Sequence, residues 1–193
     1  MTRSIVLASA SPRRRELLAN IGLKFTVDPV EIREVMTTGL KPARLAKALS
    51  LHKARAAASR NEGSIIIAAD TFGVLDGMIL GKPLDERHAR KMLKELSGRC
   101  HSVITGFTII DSATGRTVSR AVETRVYFTK LGRSQIARYV KTGEPLGKAG
   151  AYAIQGLGAL LVERIEGDYY NVMGMPLCAL AAVLRRFGVT LPS

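Results

Sequence analysis

The step from "SIVLAS" (4–9) to "SPRRRELLANIG" (11–22) constrains the fold more than any other stretch. A short, β-branched apolar run reads as a buried strand, and the residues after it switch at once to helical spacing, with Leu17, Leu18 and Ile21 on one side. Ser11 suits the N-cap, Pro12 the first helical position and Gly22 the C-terminal stop. A buried strand feeding directly into a helix is the opening of an α/β unit.

The same alternation continues along the chain. The stretch 24–32 looks extended, 42–60 is an alanine-rich helix with Leu45 and Leu49 spaced for burial, and "SIIIAAD" (64–70) is a strongly apolar strand ending in an acid. Asp76-Gly77 between apolar runs predicts a hairpin. The spacing predicts a helix over 85–98 capped by Asp85 and stopped at Gly98, and two long β-rich runs over 102–129 flank "SATGRT", a second hairpin. A short helix over 134–143 capped by Ser134, a strand pattern over 158–167 and an apolar helix over 176–188 complete the reading. The class is α/β with a mixed sheet. No repeat or linker divides the 193 residues, which suffice for one domain or two small lobes on one sheet.

Charge narrows the function. Lys and Arg number 29 against 16 Asp and Glu, and the first 60 residues hold 12 of the bases against four of the acids, so an anionic ligand is expected. Aromatic residues are 5% with no Trp, which provides poorly for stacking on nucleic acid; a small polyphosphate accounts for the charge as well, and solvated surface for much of it. No segment has the roughly 20 apolar residues of a membrane span, and "IVLA" is too brief for a signal peptide, so a cytoplasmic protein is expected. Cys100 and Cys178 lie far apart without a CxxC partner, which points to buried thiols and to neither a disulfide framework nor a zinc site.

Arg13, Arg14 and Arg15 fall in the first turn of the first helix, where the macrodipole disfavours cations. They make sense there if an anion binds among them and the helix-end amides; a solvated basic face is the alternative. "GMILGKP" and "GEPLGKA" lack the spacing of a Walker A loop, "IQGLGAL" lacks a dinucleotide fingerprint, and His52, His88 and His101 read as surface or strand residues. Asp70 stands apart: an apolar strand delivers its carboxylate to the sheet edge, a usual place for ligand binding, although an aspartate cap is the plainer alternative. Lys53 on the alanine-rich helix and Lys82 in "LGKP" are taken singly as surface.

Taken together, "LASASPRRRELL", "ADT" with "LGKP", "LSGRCHSVITG" and "EPLGKAGAYAIQGLGALLVERIEGDYYNVMGMPL" resemble the Maf family of nucleoside triphosphate pyrophosphatases over about residues 4–188. The resemblance implies a single Maf-like domain over 1–193. Its implied fold is α/β, a mixed twisted sheet with flanking helices in two lobes around a cleft, as in inosine triphosphatases, and often dimeric. It implies hydrolysis between the α and β phosphates with a divalent cation, Mg²⁺ or Mn²⁺. Asp70 matches the family's proposed general base; Glu34, Lys53 and Lys82 fall on other functional positions, and Asp70 with Glu34 is the implied metal pair. Family members commonly carry two acids together near Glu34, where this chain reads Arg33-Glu34. Ser9, Ser11, Arg13 and Arg14 match the phosphate-binding motif.

The resemblance also speaks to the base. Members with Arg at 13, Thr at 71 and Gln at 155 act on dTTP and UTP, whereas a sister group with Trp, Gln and Glu there prefers 7-methyl-GTP; this chain has Arg13, Thr71 and Gln155. A side-chain amide offers donor and acceptor to the N3–H and carbonyl edge of a pyrimidine. The expected partner is the nucleotide, canonical or modified, with clearing of the nucleotide pool as the role. The alternatives are the 7-methyl-GTP activity and a non-enzymatic, division-linked binding protein.

Overall fold

A computed structural model describes residues 3–30 and 40–191. Strands and helices follow in the order β1 (Ile5–Leu7), α1 (Pro12–Asn20), β2 (Thr26–Val27), α2 (Pro42–Ala58), β3 (Ile65–Leu75), β4 (Met78–Leu80), α3 (Glu86–Leu96), β5 (Cys100–Asp111) and β6 (Thr117–Phe128). They continue as α4 (Arg133–Lys141), two 3₁₀ turns at Ala149–Ala151 and Gly156–Leu161, β7 (Val162–Glu166), α5 (Tyr169–Val172) and α6 (Leu177–Arg185). Among the described residues, seven strands form one mixed sheet in the order β2-β1-β3-β5-β6-β7, with β4 on β3. β1 is parallel to β2 and β3, as strand–helix–strand connections require, whereas β4 and β7 run antiparallel to β3 and β6. No helix among the described residues is long and apolar enough to cross a membrane.

By contact density the chain forms two compact units. Of the described residues, the first takes 3–30, 40–70, 105–122 and 174–191, and the second takes 71–104 and 123–173. The first unit's core joins Val6 of β1 and Ala8 just after it, Ile66 and Ala68 of β3, Ile110 of β5, and Ala54 and Ala57 of α2. Small residues on α2 let the helix lie close to the sheet. At Gly106 of β5 a Cβ would stand 2.1 Å from the Ala46 carbonyl oxygen, so only glycine fits under that turn. One turn further on, Ser50 Oγ bonds Thr108 Oγ1 at 2.8 Å, and Thr108 Oγ1 bonds Ser119 Oγ at 2.8 Å. These contacts register the Ala46, Ser50, Lys53 face of α2 on the sheet.

The second unit holds the β3–β4 hairpin, whose Asp76 (φ 50) and Gly77 (φ 79) form the turn that the Asp-Gly pair predicts. Asp85 caps α3 by accepting from His88 N at 2.7 Å. Four expectations are corrected. β3 does not end at Asp70 but runs on to Leu75, because Thr71, Phe72 and Val74 continue the β-favouring pattern and β4 pairs with residues 73–75. α4 is capped at Gly132, not Ser134, with Gly132 N donating to Gln135 Oε1 at 3.0 Å. The strand expected over 158–167 is confined to Val162–Glu166, since a 3₁₀ turn occupies Gly156–Leu161. Cys100 and Cys178 are free thiols, and Cys178 is exposed on α6 rather than buried.

Candidate active site

In the first unit, β1 delivers Ser9, 8% exposed, to the turn that opens α1. Ser9 Oγ accepts from Ser11 N at 3.3 Å and from Arg14 Nη1 at 3.0 Å. Ser11 occupies the N-cap but makes no side-chain cap bond, and α1 has no acid in its first turn. At the far end of α1, Gly22 N bonds Ala19 O at 2.9 Å and Leu23 N bonds Leu18 O at 3.2 Å, a closing motif that needs glycine at φ 76.

The three arginines separate into distinct roles. Arg14 turns inward: besides Ser9, its Nη1 donates to Ala69 O at 2.8 Å and its Nε to Gly174 O at 2.9 Å. It therefore ties the β1–α1 turn to β3 and to the chain before α6. Burial pulls its pKa down, and the nearby Asp70 carboxylate opposes that pull. Arg13 is half-buried and Arg15 is exposed.

Asp70 lies within β3 and is 7% exposed. Lys53 Nζ, near the end of α2, forms an ion pair with Asp70 Oδ1. The structure thus brings Ser9, Ser11, Arg14, Lys53 and Asp70 together, one carboxylate among cations beside an uncapped helix end. Such a group can hold a polyanion and move a proton at the same place.

The remaining expected residues are placed as follows. Glu34 lies outside the described residues. In the second unit, Lys82 is exposed on the loop after β4, and Gly81 O beside it accepts from Gly150 N at 3.0 Å. Thr71 follows Asp70 on β3 and is half-buried; Gln155 is half-buried at the N-cap of the Gly156–Leu161 turn and makes no side-chain cap bond there. His52 is exposed and His88 sits on α3, while His101 is buried on β5 with Nε2 at 2.9 Å from Tyr152 Oη. No group of three or more His, Cys, Asp or Glu suited to a metal occurs among the described residues. Two features escape a reading of the sequence: the inward clamp of Arg14, whose acceptors are backbone carbonyls, and Glu144, whose carboxylate takes up amides of the loop around Gln155.

Relatives called dTTP/UTP pyrophosphatase include one from Syntrophotalea carbinolica, 51% identical over 186 residues, covering 95% of this chain and 84% of that protein. Another, from Moorella thermoacetica, is 50% identical over 185 residues, covering 96% and 95%. Among solved structures, a HAM1 protein from Coxiella burnetii matches with a TM-score of 0.59 at 16% identity, over 96% of this chain and 100% of that one; this likeness is one of fold. The model of the Maf-like protein family matches residues 4–187, and the chain belongs to the Maf family.

Proposed function

We propose that the protein is a nucleoside triphosphate pyrophosphatase that hydrolyses dTTP and UTP, and modified pyrimidine nucleotides of similar shape, to the monophosphate and pyrophosphate with a divalent cation. The observation that carries the reading is the Lys53–Asp70 pair beside Arg14 and the Ser9–Ser11 turn, in a chain 51% and 50% identical to relatives named for this activity.

In this reading a water attacks the triphosphate. One of its protons passes to the Asp70 carboxylate as the new P–O bond forms, the α–β anhydride P–O bond breaks, and pyrophosphate leaves with the electron pair. Lys53 holds Asp70 in place, and Arg14 fixes the turn that presents the Ser11 end of α1. Arg13, Lys53 and Lys82 meet the charge that builds on the leaving group. Gln155 and Thr71 read the base. A hard cation such as Mg²⁺ or Mn²⁺ takes one or two carboxylates and otherwise phosphate oxygens and water, and Asp70, with Glu34 as its family partner, suits that demand. When bound, the cation would neutralise charge on the phosphates.

The test is a panel of dTTP, UTP, CTP, ATP, GTP, 7-methyl-GTP and modified pyrimidine triphosphates, each with Mg²⁺, with Mn²⁺ and with a chelator. The highest kcat/KM is expected for dTTP and UTP, with turnover lost in chelator. Preference for 7-methyl-GTP would move the chain to the sister activity, and no turnover of any nucleotide would sink the enzymatic reading.

A further inference from the structure

The amides on both sides of Gln155 end on one pair of side chains. Glu144 follows the C-terminus of α4, where Thr142 Oγ1 accepts from Glu144 N at 3.2 Å. Its Oε1 accepts from Gly158 N at 2.8 Å and from Tyr139 Oη at 2.9 Å, and its Oε2 from Leu157 N at 3.1 Å. Tyr139 Oη in turn accepts from Ala153 N at 3.2 Å. Residues 153, 157 and 158 are therefore held by the end of α4, and Gln155 lies between them.

The clamp is close enough to dictate the residues around it. Gly156 has φ 70, and a Cβ there would stand 2.7 Å from Glu144 Oε2. At Gly158 a Cβ would stand 2.6 Å from Tyr139 Oη and 2.2 Å from Ala153 O. The turn wraps the carboxylate because both positions lack a side chain. Ile154 is buried at 7% exposure, which anchors the near side of Gln155, and the Gln155 side chain is not spent on capping the turn that follows it.

We propose that Glu144 is a positioning residue for base selection: with Tyr139 it fixes the backbone on both sides of Gln155, so that the Gln155 amide meets the edge of a pyrimidine base at one set position. The proposal rests on the dTTP/UTP reading above and on Gln155 as the residue that reads the base. A side-chain amide discriminates between bases only if its donor and acceptor are held in register with the base edge. A carboxylate satisfied by two backbone amides and a phenol supplies that rigidity, because such charge-assisted bonds are the stronger kind.

The test measures kcat/KM for dTTP, UTP, ATP and GTP in the wild type, Glu144→Gln, Gln155→Ala and the double variant, with thermal melting of each. Glu144→Gln replaces one accepting oxygen by a donor facing the loop amides. The pyrimidine-over-purine ratio should fall by about tenfold, chiefly through a higher KM for dTTP with kcat nearly unchanged. In the Gln155→Ala background the same change should leave the ratio as it is, since the side chain being positioned is gone. A folded Glu144→Gln with an unchanged ratio, or an equal further loss in the Gln155→Ala background, would overturn the proposal. If Glu144→Gln does not fold, Tyr139→Phe loosens the clamp at Ala153 and should lower the ratio in the same direction; an unchanged ratio there is equally fatal. A wild type without activity on dTTP and UTP would overturn the functional reading and this proposal with it, whereas an active, selective wild type with insensitive variants would overturn this proposal alone.

Discussion

Lys53 of α2 and Asp70 of β3 form an ion pair whose side chains are 16% and 9% exposed. Two largely desolvated charges persist only when each satisfies the other, so the pair joins the stability of the first unit to its chemistry. Removing the lysine leaves a carboxylate with Arg14 as the cation nearby, and removing both charges should be milder than removing one.

Lys53→Met should therefore cost about 3 kcal/mol of stability, measured by urea denaturation, and adding Asp70→Asn should recover a good part of that loss. Additive losses in the double variant would show that the two groups do not depend on each other.

Gly106→Ala should destabilise the fold by about 1–3 kcal/mol and slow turnover too, because the added methyl meets the Ala46 carbonyl and shifts the helix that carries Lys53. An unchanged melting temperature would mean that α2 does not lie where described.

His101 gives a pH signature. Burial pushes its pKa down from 6.5 to about 4, so the unfolded chain binds a proton that the folded chain does not between those values. Stability from this group is complete above about pH 6.5 and is lost as pH falls toward 4, by about 3 kcal/mol at most. His101→Phe should flatten that part of the stability–pH curve; an identical slope in the variant would assign the effect to other groups.

Base reading and phosphate contact separate by variant. Gln155→Glu keeps the shape but removes the amide donors, and should cost dTTP about 1–3 kcal/mol in kcat/KM with purine nucleotides less affected. Lys82→Ala should slow all triphosphates by a similar factor, because the charge it meets is common to them. Equal losses across bases in the Gln155 variant would remove it from the specificity set.

Local signals carried much of this architecture. The Asp76-Gly77 turn, the Asp85 cap and the Pro12-to-Gly22 helix are set by residues whose backbone preferences hold in any context, so they were legible in the chain. Asp70 stood out as an acid after an apolar run, but its place within β3 depends on pairing with β4, a tertiary contact. The 3₁₀ turn at Gly156–Leu161 has no periodicity of its own, and its apolar residues imitate a strand. Arg14 looked like its neighbours Arg13 and Arg15; what distinguishes it is a pair of carbonyls, at Ala69 and Gly174, that no residue type announces. Glu144 was hidden for the same reason, since its partners are backbone amides.

Cleavage of a pyrimidine nucleoside triphosphate at the α–β bond with Asp70 as the base can be read from the products of dTTP hydrolysis with Mg²⁺, using the wild type and Asp70→Asn. The wild type should give dTMP and pyrophosphate in equal amounts, and a folded Asp70→Asn should react at least about 10²-fold more slowly. Formation of dTDP with orthophosphate, or an Asp70→Asn variant as fast as the wild type, would contradict this mechanism.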